Sequence, residues 1–267
     1  MMILDEIAES TRKRVEEQKK TITPEEMVKM ALEASGRDKR EKFLFEKALK
    51  KPGISFICEV KKASPSKGLI AEHFPYLEIA KEYEAAGADA ISVLTEPEFF
   101  LGDSRYLKEI AETVEIPVLR KDFTVDEYQI FEAKVLGASA VLLICALLDE
   151  ERLKRYRKIA ESLGMSALVE AHTEEEAEMA VRSGARIVGV NNRNLKTFHV
   201  DNEISTRLRR LIPPELVFVS ESGVQGRDDV KAAEQSGADA VLMGEILMRS
   251  RDKKKMIMVL KGEGQEQ

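Results

Sequence analysis

Little in this chain invites covalent or metal chemistry. Its 267 residues include two cysteines, Cys58 and Cys145, each inside an apolar strand-like run. That usage excludes a disulfide framework and leaves both as reduced packing thiols. The three histidines, His73, His172 and His199, show no metal-ligand spacing. No stretch approaches the ~20 uninterrupted apolar residues of a membrane span. The opening segment, MMILDEIAESTRKR, sets acids beside a short apolar patch and lacks a signal-peptide pattern. Neither sign of charge dominates: the net charge is −6 with acids and bases interleaved, which argues against a nucleic-acid partner. The expectation is a cytoplasmic protein without metal or cofactor, with no nucleic-acid or membrane partner.

What is present is a rhythm. A glycine followed by a short β-branched run recurs in AGADAISVL (86–94), GASAVLLI (137–144), GARIVGV (184–190) and GADAVLMG (237–244). Glycine just past a helix is an ordinary stop, and an apolar run without alternation suits a strand buried on both faces. Runs at 54–60, 116–120, 166–170 and 216–220 fit the same spacing without the glycine. Leu153, Tyr156, Ile159, Ala160 and Leu163 mark one intervening helix, and Thr173 with Glu176 predicts a capping box opening another. Eight such βα units predict a (β/α)8 barrel. An open doubly wound sheet is the alternative, but no Gly-rich dinucleotide turn supports it.

Residues 1–52 do not fit the repeat and are expected to form a helical extension packed on a barrel spanning 53–262, the whole being one domain. Ile3, Leu4, Ile7 and Val15 suggest a first helix. Met27, Met30, Ala31 and Ala34 suggest a second, opened by Thr23-Pro24. Phe43, Leu44, Ala48 and Leu49 suggest a third. The basic run 253–255 reads as a solvated helix face.

Barrel active sites lie at the carboxyl ends of the strands. In FICEVKKASPSKG (56–68), Glu59 and Lys61 share a strand face with Ser55 and Ile57, while Phe56, Cys58 and Val60 face the other way. Other strand ends supply Lys121, Glu170, Asn191, Arg193, Glu221 and Ser222. One charged strand end is an ordinary solvated terminus; convergence of five on one mouth describes a site. Carboxylates and ammoniums at close quarters shift one another's proton affinities, which suits general acid–base work, with a lysine Schiff base as the other option. Ser222-Gly223 ending the seventh strand, and Gly244-Glu245 ending the eighth, stand where many barrels bind phosphate through backbone N–H groups.

Together EVKKASPSKG, SVLTEPEFF, LRKDF, VNNRNL and SESGV resemble the indole-3-glycerol-phosphate synthase family of tryptophan biosynthesis. The resemblance runs in order from about residue 55 to 248, and the helical extension is similar too. It implies closure, decarboxylation and dehydration of 1-(2-carboxyphenylamino)-1-deoxyribulose 5-phosphate to indole-3-glycerol phosphate, CO2 and water. No cofactor is implied, and association with other tryptophan-pathway enzymes is an expectation.

By this resemblance Lys121 is the general acid at the ketone, with Glu170 beside it. Glu59 and Lys61 serve the proton transfers of closure and dehydration. Asn191, Arg193 and Glu221 hold the substrate's hydroxyls and anionic groups. The phosphate lies on Ser222, Gly223, Gly244 and Glu245, with Ser64 and Lys61 near, and Phe100, Phe123, Leu142 and Pro65 form the slot for the anthranilate ring. Ile246 stands where the family often has a hydroxyl residue, Asn194 where it often has aspartate, and EAH (170–172) where EVH is commoner. A phosphoribosylanthranilate isomerase would need Cys and Asp at its working strand ends, whereas Cys58 is expected to face the helices. A Schiff-base aldolase working through Lys121, and a barrel kept only as an assembly partner, are the other rivals; the intact charged set speaks against the last.

Overall fold

A computed structural model describes residues 3–193, 200–201 and 203–263. Eight parallel strands close into a barrel: β1 (Ser55–Val60), β2 (Ala90–Leu94), β3 (Val118–Lys121), β4 (Ala140–Ile144), β5 (Ser166–Ala171), β6 (Ile187–Asn191), β7 (Val217–Glu221) and β8 (Ala240–Met243). Each strand neighbours the next, and β8 closes on β1 with Ser55 opposite Ala240 and Cys58 opposite Met243. All eight expected runs are strands.

The period-2 alternation of side chains divides every strand between two cores. Ile57, Leu119, Leu142, Leu168, Ile187, Val219 and Leu242 point inward and fill the barrel. Phe56, Cys58, Val60, Ile91, Val93, Val169, Val188 and Phe218 point outward beneath the helices. Cys58 is therefore on the helix side, as its register requires. At the four repeats the helices stop on Gly87, Gly137, Gly184 and Gly237, whose φ values of 82°, 86°, 81° and 84° are left-handed. A side chain there would meet the strain that makes glycine the usual residue.

The extension comprises α1 (Ile3–Thr21), α2 (Pro24–Arg37) and α3 (Leu44–Leu49). Thr23 caps α2 in a complete capping box with Glu26, just before Pro24. Two expectations need correction. Met30 is exposed, because the buried stripe of α2 is Met27 and Ala31 alone. Phe43 is not a core residue of α3; it precedes the helix at φ 59°, with the Arg186 guanidinium 4.0 Å above its ring. Leu49 is buried as expected, Phe45 takes the place of Phe43 as the second anchor, and both join the core inside the barrel.

Helices α4 (Tyr76–Ala85), α5 (Ser104–Thr113), α6 (Tyr128–Val135), α7 (Glu150–Ser162), α8 (Glu174–Arg182), α9 (Glu203–Arg209) and α10 (Arg227–Gln235) link successive strands, and α11 (Glu245–Arg249) and α12 (Lys253–Lys261) follow β8. The expected stripe of α7 is buried at Leu153, Tyr156, Ala160 and Leu163. Lys254 and Lys255 are exposed at the start of α12. The capping box at α8 forms only in half: Thr173 accepts from the Glu176 N–H at 3.2 Å, but the Glu176 carboxylate turns to the backbone N–H of His172 at 2.7 Å.

Candidate functional site

Over the carboxyl ends of the strands lies a cavity of about 490 Å³. Its lining includes Glu59, Lys61, Ser64, Pro65, Phe100, Lys121, Phe123, Leu142, Glu170, Asn191, Arg193, Glu221, Ser222, Gly223, Gly244 and Glu245. Every site residue expected from the sequence thus reaches one cavity. Asn194 and His199 lie outside the described residues.

Lys121 is the centre of the charge pattern. It leaves β3 and points inward, and its Nζ lies 3.5 Å from Glu170 Oε2 on β5 and 4.0 Å from Glu221 Oε2 on β7. In the closed strand order β3 and β7 are four strands apart, on opposite walls. The ammonium is therefore held near the barrel axis. Burial by itself would lower the proton affinity of Lys121, but Glu170, Glu221 and Glu59 outweigh it and hold Lys121 above the ordinary lysine value.

The two carboxyls beside it are pushed apart. Burial opposes ionisation of Glu170, yet Lys121, His172 and hydrogen bonds from Glu221 and Asn191 bring it below its usual range. Burial drives Glu221 well above that range, and the nearby charge of Glu170 adds to it. No hydrogen-bond donor of another kind reaches either Glu221 oxygen among the described residues. Two buried carboxyls beside one ammonium cannot both ionise cheaply, so burial and the charge of Glu170 favour the protonated form of Glu221.

Glycines make room for these acids. A Cβ on Gly189 would fall 2.0 Å from Glu221 Oε1, and one on Gly244 would fall 2.6 Å from Glu59 Oε1. Glu59 is ion-paired to Lys61 on the neighbouring rim. Gly244, expected only as a phosphate contact, is also the space into which Glu59 fits.

At the β2–β3 rim the rings of Phe100 and Phe123 lie 5.8 Å apart, with Leu142 below on the barrel core. A short ladder, Ala63–Ser64 against Gly68–Leu69, folds the loop after β1, and the N–H of Ala63 bonds to the Phe100 carbonyl at 3.2 Å. This places Pro65 and Ser64 at the cavity wall. Across the barrel, Ser222 and Gly223 both take left-handed backbone, at φ 66° and 91°. The Glu245 carboxylate faces Lys67 at 3.3 Å and Arg249 at 3.2 Å. Two cations thus neutralise the acid at the start of α11. Ile246 packs against the outer core.

Sequence reasoning missed residues that act through these. Asn192 is buried: its Nδ2 donates to Ser220 Oγ at 3.1 Å and the Ser222 carbonyl at 3.3 Å, while its Oδ1 accepts from Ser205. It pins the turn carrying Ser222. Asp122 follows Lys121 and is gripped by Arg14 of α1, by Thr95 and by Arg120. Among the described residues no group of three or more His, Cys, Asp and Glu side chains could hold a metal ion, and no helix is long and apolar enough to cross a membrane.

A closed barrel of eight βα units with a charged and partly apolar cavity over its strand ends is the build of a (β/α)8-barrel enzyme. Solved barrels support that fold. A 3-hexulose-6-phosphate synthase aligns over 78% of this chain and 99% of its own, with a TM-score of 0.63 at 15% identity. A chain from a Pyrococcus furiosus tryptophan synthase α2β2 complex aligns over 78% and 97%, with a TM-score of 0.58 at 17% identity. Sequence goes further. The family model for indole-3-glycerol phosphate synthase matches residues 4–260. The indole-3-glycerol phosphate synthase of Ruminiclostridium cellulolyticum is 60% identical over 98% of this chain and 99% of its own. That of Endomicrobium trichonymphae is 56% identical over 93% and 95%. The chain belongs to the indole-3-glycerol phosphate synthase family, carboxy-lyases of tryptophan biosynthesis.

Proposed function

We propose that the reaction of this family is divided among the cavity residues as follows. The substrate lies across the mouth, its carboxyphenyl ring between Phe100, Phe123, Leu142 and Pro65, and its phosphate on the backbone of Ser222, Gly223, Gly244 and Glu245, near Ser64 and Lys61. Asn191, Arg193 and Glu221 hold the hydroxyls and anionic groups between. Lys121 is the general acid: its ammonium protonates the ketone oxygen as the ring carbon attacks, and Glu170 steadies it. Loss of CO2 restores electrons to the ring system. Glu59 with Lys61 then moves the protons by which a hydroxyl leaves as water.

The observation that carries this reading is the Lys121 ammonium held between Glu170 and Glu221 in the same cavity that the apolar rim and the glycine-bearing ends of β7 and β8 line. A proton donor there faces the middle of a substrate bound at both ends, and proximity of this kind supplies a large part of a catalysed rate. Residues 1–52 and 53–262 act as one domain in this reading. The setting is the cytoplasm, and association with other tryptophan-pathway enzymes fits the product's onward use.

The test is indole formation from 1-(2-carboxyphenylamino)-1-deoxyribulose 5-phosphate, followed by fluorescence with a chelator present. Lys121→Ala should lose roughly 10²–10⁴-fold in kcat with folding and substrate binding kept. Turnover near that of the parent would overturn the role of Lys121. Borohydride trapping of substrate on Lys121 would replace it with an imine mechanism.

A further inference from the structure

We infer that His172 is a positioning residue for Glu170, its imidazolium bridging the active-site carboxylate to Glu176 on α8. This deepens the proposed function and rests on its assignment of Glu170. The geometry is a short relay. His172 follows β5 by one residue, and its ring is largely buried, with Nε2 3.4 Å from Glu170 Oε1 as a charge approach and without a hydrogen-bond partner among the described residues. On the ring's other side Nδ1 is 3.3 Å from Glu176 Oε2. The same Glu176 oxygen accepts the His172 backbone N–H at 2.7 Å, which fixes the residue from two directions. This is the carboxylate that left the expected capping box at α8.

Nδ1 is hydrogen-bonded to Glu176 and Nε2 stands beside Glu170 at ion-pair distance, and only the protonated ring attracts both carboxylates. The titratable and charged groups set around it are Glu170 on β5, Glu176 on α8, Lys121 on β3 and Cys145 after β4. The Cys145 thiol, pushed up by burial, stays neutral, and it donates to the Glu176 carbonyl at 3.5 Å. Around the ring two carboxylates thus act against one ammonium. Burial alone would lower the His172 value, and Glu176 and Glu170 reverse that. Glu170 gains a positive charge on the side away from Lys121, so its carboxylate has cations on both flanks.

The sign of the consequence is fixed. The imidazolium keeps Glu170 ionised to lower pH; without it, Glu170 takes up a proton at higher pH. His172→Asn should therefore move the acid limb of the kcat profile upward by about half to one pH unit, with KM nearly unchanged. Glu176→Gln, which touches no substrate, should move the limb the same way. Independently of turnover, NMR titration of the ring should place His172 above the ordinary imidazole value in the parent and lower in Glu170→Gln and Glu176→Gln. An unmoved acid limb in both His172→Asn and Glu176→Gln, or a His172 titration indifferent to Glu170→Gln, would overturn the inference. Full turnover by Glu170→Gln with a lowered His172 titration would support the bridge and overturn the catalytic role of Glu170.

Discussion

Arg14 of the first helix grips Asp122, the residue after Lys121, with Nη2 2.9 Å from one carboxylate oxygen and 3.1 Å from the other. The partners are 108 positions apart, and Asp122 is fully buried. Arg120, on the same strand, adds Nη2 at 3.2 Å and continues to Glu132 at 2.6 Å. Burial works against ionisation of Asp122, and the two guanidiniums overcome it, so its carboxyl sits below the usual range. The extension is thus bolted to the strand that carries the proposed acid.

Removing that grip should be felt in both stability and turnover. Arg14→Ala deletes a hydrogen-bonded charge contact worth about 1.5–3 kcal/mol, with Arg120 left to hold Asp122. Chemical denaturation should show a loss of that size. A fall in kcat should accompany it, since Asp122 orients the backbone next to Lys121.

Glu221→Gln should stabilise the protein at neutral pH. Its folded value is raised, so the ionisable side chain favours folding less as pH rises above about 4.3, the ordinary glutamate value, toward the folded value. Below that pH both states are protonated and the difference vanishes. An amide needs no such proton. The gain in Tm should therefore be absent near pH 4 and grow toward pH 7; a gain independent of pH would contradict a proton resident on Glu221.

Gly189→Ala tests the same acid sterically. The new methyl would fall 2.0 Å from Glu221 Oε1 and also meet Leu168 Cδ1 at 3.1 Å. Glu221 must then leave its seat. The expected cost is about 1–3 kcal/mol, the ordinary range for overpacking a core, with a larger fractional loss in kcat than in substrate affinity. Urea titration and steady-state kinetics report the two separately.

Gly223→Asp should weaken a phosphate-bearing ligand by setting a carboxylate against it. The backbone there has φ 91°, so any side chain also introduces strain. Gly223→Ala isolates the strain. Inhibitor affinity should fall further for aspartate than for alanine, and equal losses would remove the phosphate from this turn.

What the sequence made legible was local. Strand alternation placed Ile57 inside and Cys58 outside, and the glycine stops at 87, 137, 184 and 237 are a matter of turn chemistry within a few residues. The mouth residues could be read because a barrel gathers strand ends whatever lies between them. Partners set by tertiary approach could not be read in this way. In LRKDF only Lys121 stood out, since nothing near Asp122 in the chain announces Arg14. Glu176 had the right spacing for Thr173, but His172 competes for its carboxylate and wins the contact. Phe43 and Phe45 are both apolar, and only the seat of α3 under the barrel decides which is buried.

That seat reaches into the chemistry above it. Phe45 and Leu49 are fully buried against the inward residues of the strands, so the lower end of the barrel is stoppered. Glu59, Lys121, Glu170 and Glu221 line the cavity at the other end of the barrel. In the proposed binding mode the substrate lies across that cavity, between these groups and solvent. The proposed reaction takes up one proton at the ketone, and CO2 leaves without one. Dehydration gives a proton to the hydroxyl and takes one from the ring carbon. Each turnover thus leaves the enclosed acids one proton short until solvent restores it.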